Sequence, residues 1–90
     1  MYTIQFTNKF KKDLKLAKKR EYDMSLLETA VDLLQRDGKL PSKYKSHKLS
    51  GRYAGLNECH LKPDWLLVWD QNDDQLVLLL IATGTHSDLF

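Results

Sequence analysis

The stretch Glu58-Cys59-His60-Leu61-Lys62-Pro63-Asp64-Trp65 decides how the rest of the chain is read. It describes a strand, a tight turn and the start of a second strand. Side chains alternate along a strand, so Glu58, His60 and Lys62 fall on one face and Cys59 and Leu61 on the other. Pro63 presets φ for the second position of a turn, and Asp64 suits the position after it. With a two-residue turn, Lys62 lies opposite Trp65 and His60 opposite Leu67. One end of one hairpin then gathers an imidazole, an ammonium, a carboxylate and an indole, a mixture that a purely structural hairpin does not need. Two more histidines, His47 and His86, lie far off on either side in sequence.

Working outward, the spacing predicts three strands at about 56–62, 65–70 and 76–82. The last is almost continuously apolar, as a strand covered on both faces would be. Gln71-Asn72-Asp73-Asp74 reads as the turn before it. Neighbouring strands 65–70 and 76–82 would bring the end of the last strand beside the Pro63-Asp64 turn, so His86 can approach Asp64 and His60 from topology alone. The chain ends on Leu89-Phe90, which predicts a docked tail.

Toward the N-terminus, Tyr2 to Phe6 alternates apolar and polar residues and reads as a short strand. Thr7 is a candidate cap for a helix in which Phe10, Leu14 and Ala17 form an inner stripe. Lys11, Lys12, Lys15, Lys18 and Lys19 cover the remainder. Asp23 or Ser25 caps a second helix, and Ser25 to Glu28 fits a capping box. Its apolar face runs from Leu26 to Leu34, and Gly38 ends it. Residues 39–55, with Pro41, Gly51 and Gly55, read as a long ordered loop that carries His47. The order β-α-α-β-β-β gives an α+β domain spanning 1–90, with a helical hairpin on one face of a mostly antiparallel sheet.

A chain of 90 residues forms one domain and buries about 60–70% of its unfolded surface, enough for one core. The single cysteine excludes an internal disulfide and fits a reducing, cytoplasmic setting. The absence of a long apolar run predicts no membrane span and no signal peptide. Net charge is only +2, but residues 1–45 hold 11 Lys/Arg against 6 Asp/Glu, and residues 46–90 hold 3 against 6. Either a solvated helix face or a surface for a polyanion fits this imbalance.

Zinc is the first competitor for the histidines, yet there is no HExxH, no CxxC and no pair of histidines at i, i+4, so neither a metal nor another cofactor is expected. Cys59 shares a face with Leu61 and reads as a small buried hydrophobe and not as a nucleophile. Trp69 reads as core, whereas Trp65 beside the turn could stack on a base. What remains suits acid–base chemistry on a phosphodiester. RNA carries its own nucleophile, the 2′-hydroxyl, and cleavage needs only a base, an acid for the leaving 5′-oxygen and cations for the phosphate. Histidine titrates at about 6.5 and can serve as either acid or base.

His47-Lys48-Leu49-Ser50-Gly51, Glu58 through Val68 and Thr83 through Phe90 together resemble the toxins of the RelE superfamily, YafQ branch. The basic N-terminal helices extend the resemblance over essentially the whole chain. It implies a bacterial type II toxin that cleaves mRNA on the translating ribosome. It also implies a cognate antitoxin, of the ribbon-helix-helix DNA-binding kind, as partner. By the same resemblance the functional positions are His47, His60, Asp64, Trp65, His86 and Phe90. His86 would be general acid or base, with His47 and His60 as partners in proton transfer or phosphate stabilisation, and Asp64 would orient a histidine. Trp65 and Phe90 would position bases or shape the site. Lys48, Arg52 and Lys62 are expected phosphate contacts, and the five lysines of the first helix are expected to meet ribosomal RNA. The reading from another class is a non-catalytic RNA- or protein-binding module in which the histidines are incidental.

Overall fold

A computed structural model describes residues 1–90. The order is β1 (Thr3–Phe6), α1 (Asn8–Lys19), α2 (Met24–Asp37), β2 (His47–Lys48), β3 (Asn57–Lys62), β4 (Trp65–Asn72), β5 (Val77–Gly84) and a final helical turn, α3 (His86–Leu89). One five-stranded sheet runs β1-β5-β4-β3-β2. β1 is parallel to β5 and every other pair is antiparallel.

This is the expected α+β architecture with one strand more. Residues 39–55 are not a plain loop. They hold two short 3-10 turns, Ser42–Tyr44 and Gly51–Tyr53, and between them β2. β2 pairs His47 with Glu58 and Lys48 with Asn57. A strand of two residues has no periodicity to read, which is why the pattern missed it.

Thr7 caps α1, its side chain accepting from the Phe10 N–H. Replacing such a cap by Ala costs about 0.5–2 kcal/mol. α2 is capped by Asp23, whose Oδ1 accepts from both the N–H and the hydroxyl of Ser25, at 3.1 and 2.6 Å. Asp23 is the N-cap and Ser25 already lies inside the helix, so the Ser25–Glu28 capping box does not form. Gly38 closes α2 in the left-handed region, with φ +70°. A β-carbon there would also meet the Tyr2 side chain.

The helices cover one face of the sheet. Phe10 and Ala17 of α1 and Leu27, Ala30 and Leu34 of α2 form one buried cluster with Cys59, Trp65, Leu67, Trp69, Leu78 and Leu80. On the opposite face, Val68, Ile81 and Ala82 are covered by Leu49, Tyr53 and Leu56 and by Leu89 and Phe90. β5 is therefore sandwiched, as its apolar run predicts. The turn after β4 falls at residues 73–76 and not at Gln71–Asp74. Gln71 is tied into the sheet margin instead, its Nε2 donating to the Gly38 carbonyl at 2.9 Å.

Two registers place the site. Leu66 faces Gly84, so α3 emerges beside the Pro63-Asp64 turn. Lys62 faces Trp65 as expected, but His60 faces Leu66 and not Leu67. Leu61 is the extra residue, a bulge that breaks the alternation. Glu58 and His60 stay on one face, while Lys62 swings to the helix side and lines a hollow with Tyr22 and Asp23.

Candidate active site

The fold gathers all three histidines. β2 lays His47 beside β3, and the ring centroids of His47 and His60 are 6.3 Å apart. α3 brings His86 to the other side of His60, at 5.9 Å. His47, Asp64 and His86 are exposed and His60 is half-buried, so the cluster opens to solvent at one end of the sheet.

Hydrogen bonds fix which nitrogen each ring presents. Asp64 Oδ1 lies 2.6 Å from His86 Nδ1 and also accepts the His86 backbone N–H at 2.9 Å. An ionised carboxylate only accepts, so Nδ1 carries the proton and Nε2 is left free. These two bonds, the backbone one first, hold the Asp64 carboxyl below its usual range. His60 Nδ1 lies 3.4 Å from the Pro63 carbonyl, a weak donor contact that also leaves Nε2 open. His47 has Nδ1 at 3.0 Å from the Lys45 carbonyl and Nε2 at 3.2 Å from Glu58 Oε1. The Lys45 carbonyl only accepts, so Nδ1 is the donor there, while Nε2 stands in ion-pair range of the Glu58 carboxylate.

Glu58 is the residue that the sequence reading left without a role. It is 4% exposed, with one oxygen on His47 and the other, Oε2, buried without a partner. A buried carboxylate persists when a cation or donor compensates it, and His47 is the group in place to do so. The signal was legible in part, since Glu58 and His60 share a strand face. What could not be read was the two-residue β2 that supplies His47.

Other expected residues separate. Trp65 offers no ring to a base: it is 3% exposed, its Nε1 donates to Thr83 Oγ1 at 2.9 Å, and Tyr22 lies against it at 4.9 Å. It supports the Asp64 turn from beneath. Lys48 projects away from the histidines, as the residue after His47 on a strand must, and lines a hollow with Trp69, Gln71 and Asp73. Lys62 faces Tyr22 and Asp23 because of the bulge. Both lysines drop out as contacts to a phosphate held among the rings. Arg52 is exposed and stacks over Tyr53 at 5.6 Å, and Tyr53 meets Phe90 edge-on at 5.4 Å. Phe90, 58% exposed, thus has one edge on Tyr53 and the rest toward solvent beside α3. Lys11, Lys12, Lys15, Lys18 and Lys19 are all exposed on α1. Cys59 is fully buried, and burial pushes its thiol up to about 12, so it supplies no thiolate.

An open cluster of imidazoles held by carboxylates and a carbonyl is an apparatus for moving protons. Comparison with known proteins shows the family. Residues 2–90 match the family of bacterial toxins of type II toxin-antitoxin systems, YafQ, and the chain belongs to that family. It is 39% identical over 88 residues to the mRNA interferase toxin YafQ of Escherichia coli K12, covering 97% of this chain and 94% of that protein. The structure of the E. coli DinJ-YafQ complex is similar with a TM-score of 0.90 and 37% identity, covering 100% of this chain and 99% of that one. A metal-bound toxin from Helicobacter pylori is similar with a TM-score of 0.91 and 43% identity, over the full length of both. In this chain no three His, Cys, Asp or Glu side chains converge as metal ligands would. His86 Nδ1 and His47 Nδ1 are committed to hydrogen bonds, and His47 Nε2 is taken up by the Glu58 contact.

No helix is long and apolar enough to cross a membrane.

Proposed function

We propose that this chain is the toxin of a toxin-antitoxin pair and an endoribonuclease that cleaves mRNA on the translating ribosome. The observation that carries the reading is the His47–His60–His86 cluster, with Glu58 and Asp64 holding its two outer rings. It has proton donors and acceptors in place, which suits a substrate that brings its own nucleophile. In the reaction a base removes the 2′-hydroxyl proton, the 2′-oxygen bonds to phosphorus, the bond to the 5′-oxygen breaks, and an acid protonates that oxygen. His60 and His86, each with Nε2 free, take these two roles. His47, paired with Glu58 and lying beside His60, is the remaining cation for phosphate stabilisation. General acid–base catalysis of this kind contributes roughly 10²–10⁴-fold.

The partner is a cognate antitoxin, a ribbon-helix-helix dimer with an acidic segment that covers the basic helices, and the toxin works in the cytoplasm as a single domain. Support for the partner comes from the DinJ complex of the E. coli relative and from the exposed lysines of α1. The deciding experiment adds the purified protein to a translating extract and maps breaks in the message, with ribosome-free message as control. Cleavage only on ribosomes is the expected result. Binding without cleavage in either arm would make the chain a non-catalytic module.

A further inference from the structure

α3 bears His86 but is four residues long, too short to hold itself. Besides its own backbone bonds, its internal support is a reciprocal pair: the Asp88 N–H donates to Thr85 Oγ1 at 3.1 Å, and the Thr85 N–H to Asp88 Oδ2 at 2.9 Å. That pair orders α3 without aiming it. A distant residue holds that pair from outside α3. Arg20, just after α1, grips Asp88 with both ends of its fork, Nη1 to Oδ2 at 2.6 Å and Nη2 to Oδ1 at 3.2 Å. The same Nη1 reaches the Tyr22 hydroxyl at 3.5 Å, and the Tyr22 ring lies on Trp65, the residue next to Asp64. One guanidinium therefore reaches both α3, through Asp88, and the Tyr22–Trp65 contact beside the Asp64 turn.

Gly84 belongs to the same device. A β-carbon there would stand 2.9 Å from Asp88 Oδ2 and 3.0 Å from Asp88 Cβ. Asp88 is bound to Arg20 and Thr85 and has little freedom to give way. The lack of a side chain at 84 lets Asp88 close over the end of β5.

We propose that Arg20 is a positioning residue, clamping Asp88 so that α3 holds His86 on Asp64 in the geometry that cleavage uses. Its catalytic meaning rests on the function proposed above; the clamp itself is a property of the free protein. Arg20 also adjoins the basic face of α1, and a solvated surface ion pair would leave His86 indifferent to it.

The test reads His86 directly. Arg20→Gln, Arg20→Lys and Gly84→Ala are compared with the native protein by NMR, following the exchange of the His86 backbone amide and the tautomer of its ring. Thermal unfolding and β5 amide exchange report on the fold. Arg20→Gln and Gly84→Ala should each speed exchange of the His86 amide by about tenfold or more and lose the Nδ1–H tautomer, with β5 unchanged. Arg20→Lys, a charge without a fork, should recover only part. Single-turnover cleavage should fall by about tenfold or more in rate at saturating substrate, with little change in half-saturation. Gly84→Ala keeps the question open to test if Arg20→Gln fails to fold. A folded Arg20→Gln protein with native His86 exchange and tautomer would overturn the proposal, as would one that loses only ribosome affinity. A His86→Ala protein with full cleavage would remove the catalytic reading alone, because the spectra of Arg20→Gln still report the clamp.

Discussion

Asp64 and His86 are joined twice: one carboxylate oxygen accepts both the backbone N–H and the Nδ1–H of the same residue, at 2.9 and 2.6 Å. Two bonds to one oxygen fix the position of the residue and the plane of its ring together. The free Nε2 is then aimed by backbone geometry. Because the His86 side chain is 56% exposed, it can be removed with little loss of packing. His86→Ala should lose on the order of 10²-fold or more in single-turnover cleavage rate, with the melting temperature nearly unchanged. A large fall in melting temperature would instead make His86 a structural residue.

Acid should loosen the tail before it unfolds the core. His86 holds the Asp64 carboxyl below its usual range, and Arg20 holds that of Asp88 well below it. A carboxyl with a depressed folded value contributes stability that is fully present above its unfolded value of about 3.9 and is lost as pH falls toward the folded value. Amide exchange in α3 should therefore accelerate below about pH 4 relative to β4 and β5. Asp88→Asn should be less stable than the native protein near neutral pH, and the difference should shrink in acid. A constant difference across that range would remove the linkage.

The five exposed lysines of α1 should act as a unit on a polyanion. Reversing three of them to Glu should weaken ribosome binding and flatten its dependence on salt by roughly one unit of log–log slope per lost phosphate contact. Circular dichroism should show the helix intact. Equal affinity at every salt concentration would leave these lysines as a solvated face.

The same surface should disappear on complex formation with the antitoxin. Phe6, Phe10 and Leu14 line an apolar groove with Met24, Leu27 and Val31, with Lys18, Glu28 and Asp32 as its charged residues; the groove suits the apolar face of an amphipathic segment, and the other lysines of α1 suit its acidic groups. Hydrogen exchange in residues 8–37 should slow in the complex. No added protection there would place the antitoxin elsewhere.

Long, strongly patterned segments were legible in the sequence. The Phe10–Leu14–Ala17 stripe, the Thr7 cap, the Gly38 stop and the sandwiched β5 follow from spacing, and so does the approach of His86 to the Pro63-Asp64 turn. What escaped was set by single residues acting against a pattern. The Leu61 bulge moved Lys62 off the face it should share with His60. Two residues of β2 decided that His47 meets Glu58 while Lys48 points away. Trp65 looked available beside a turn, but the hydrogen bond to Thr83, 18 residues on, draws its ring inward. Arg20 and Asp88 are 68 residues apart, and no local pattern joins them.

The central claim is that the RNA supplies the nucleophile and the histidines move protons. The ends of the cleaved message test it most directly. Labelled mRNA is cut on ribosomes in a single turnover with zinc chelated, and both new ends are identified chemically. Attack by the 2′-oxygen leaves a 2′,3′-cyclic phosphate, or the 3′-phosphate from its hydrolysis, on one fragment and a 5′-hydroxyl on the other. A 5′-phosphate would mean that water attacked phosphorus, and it would contradict the mechanism even if His86 proved essential.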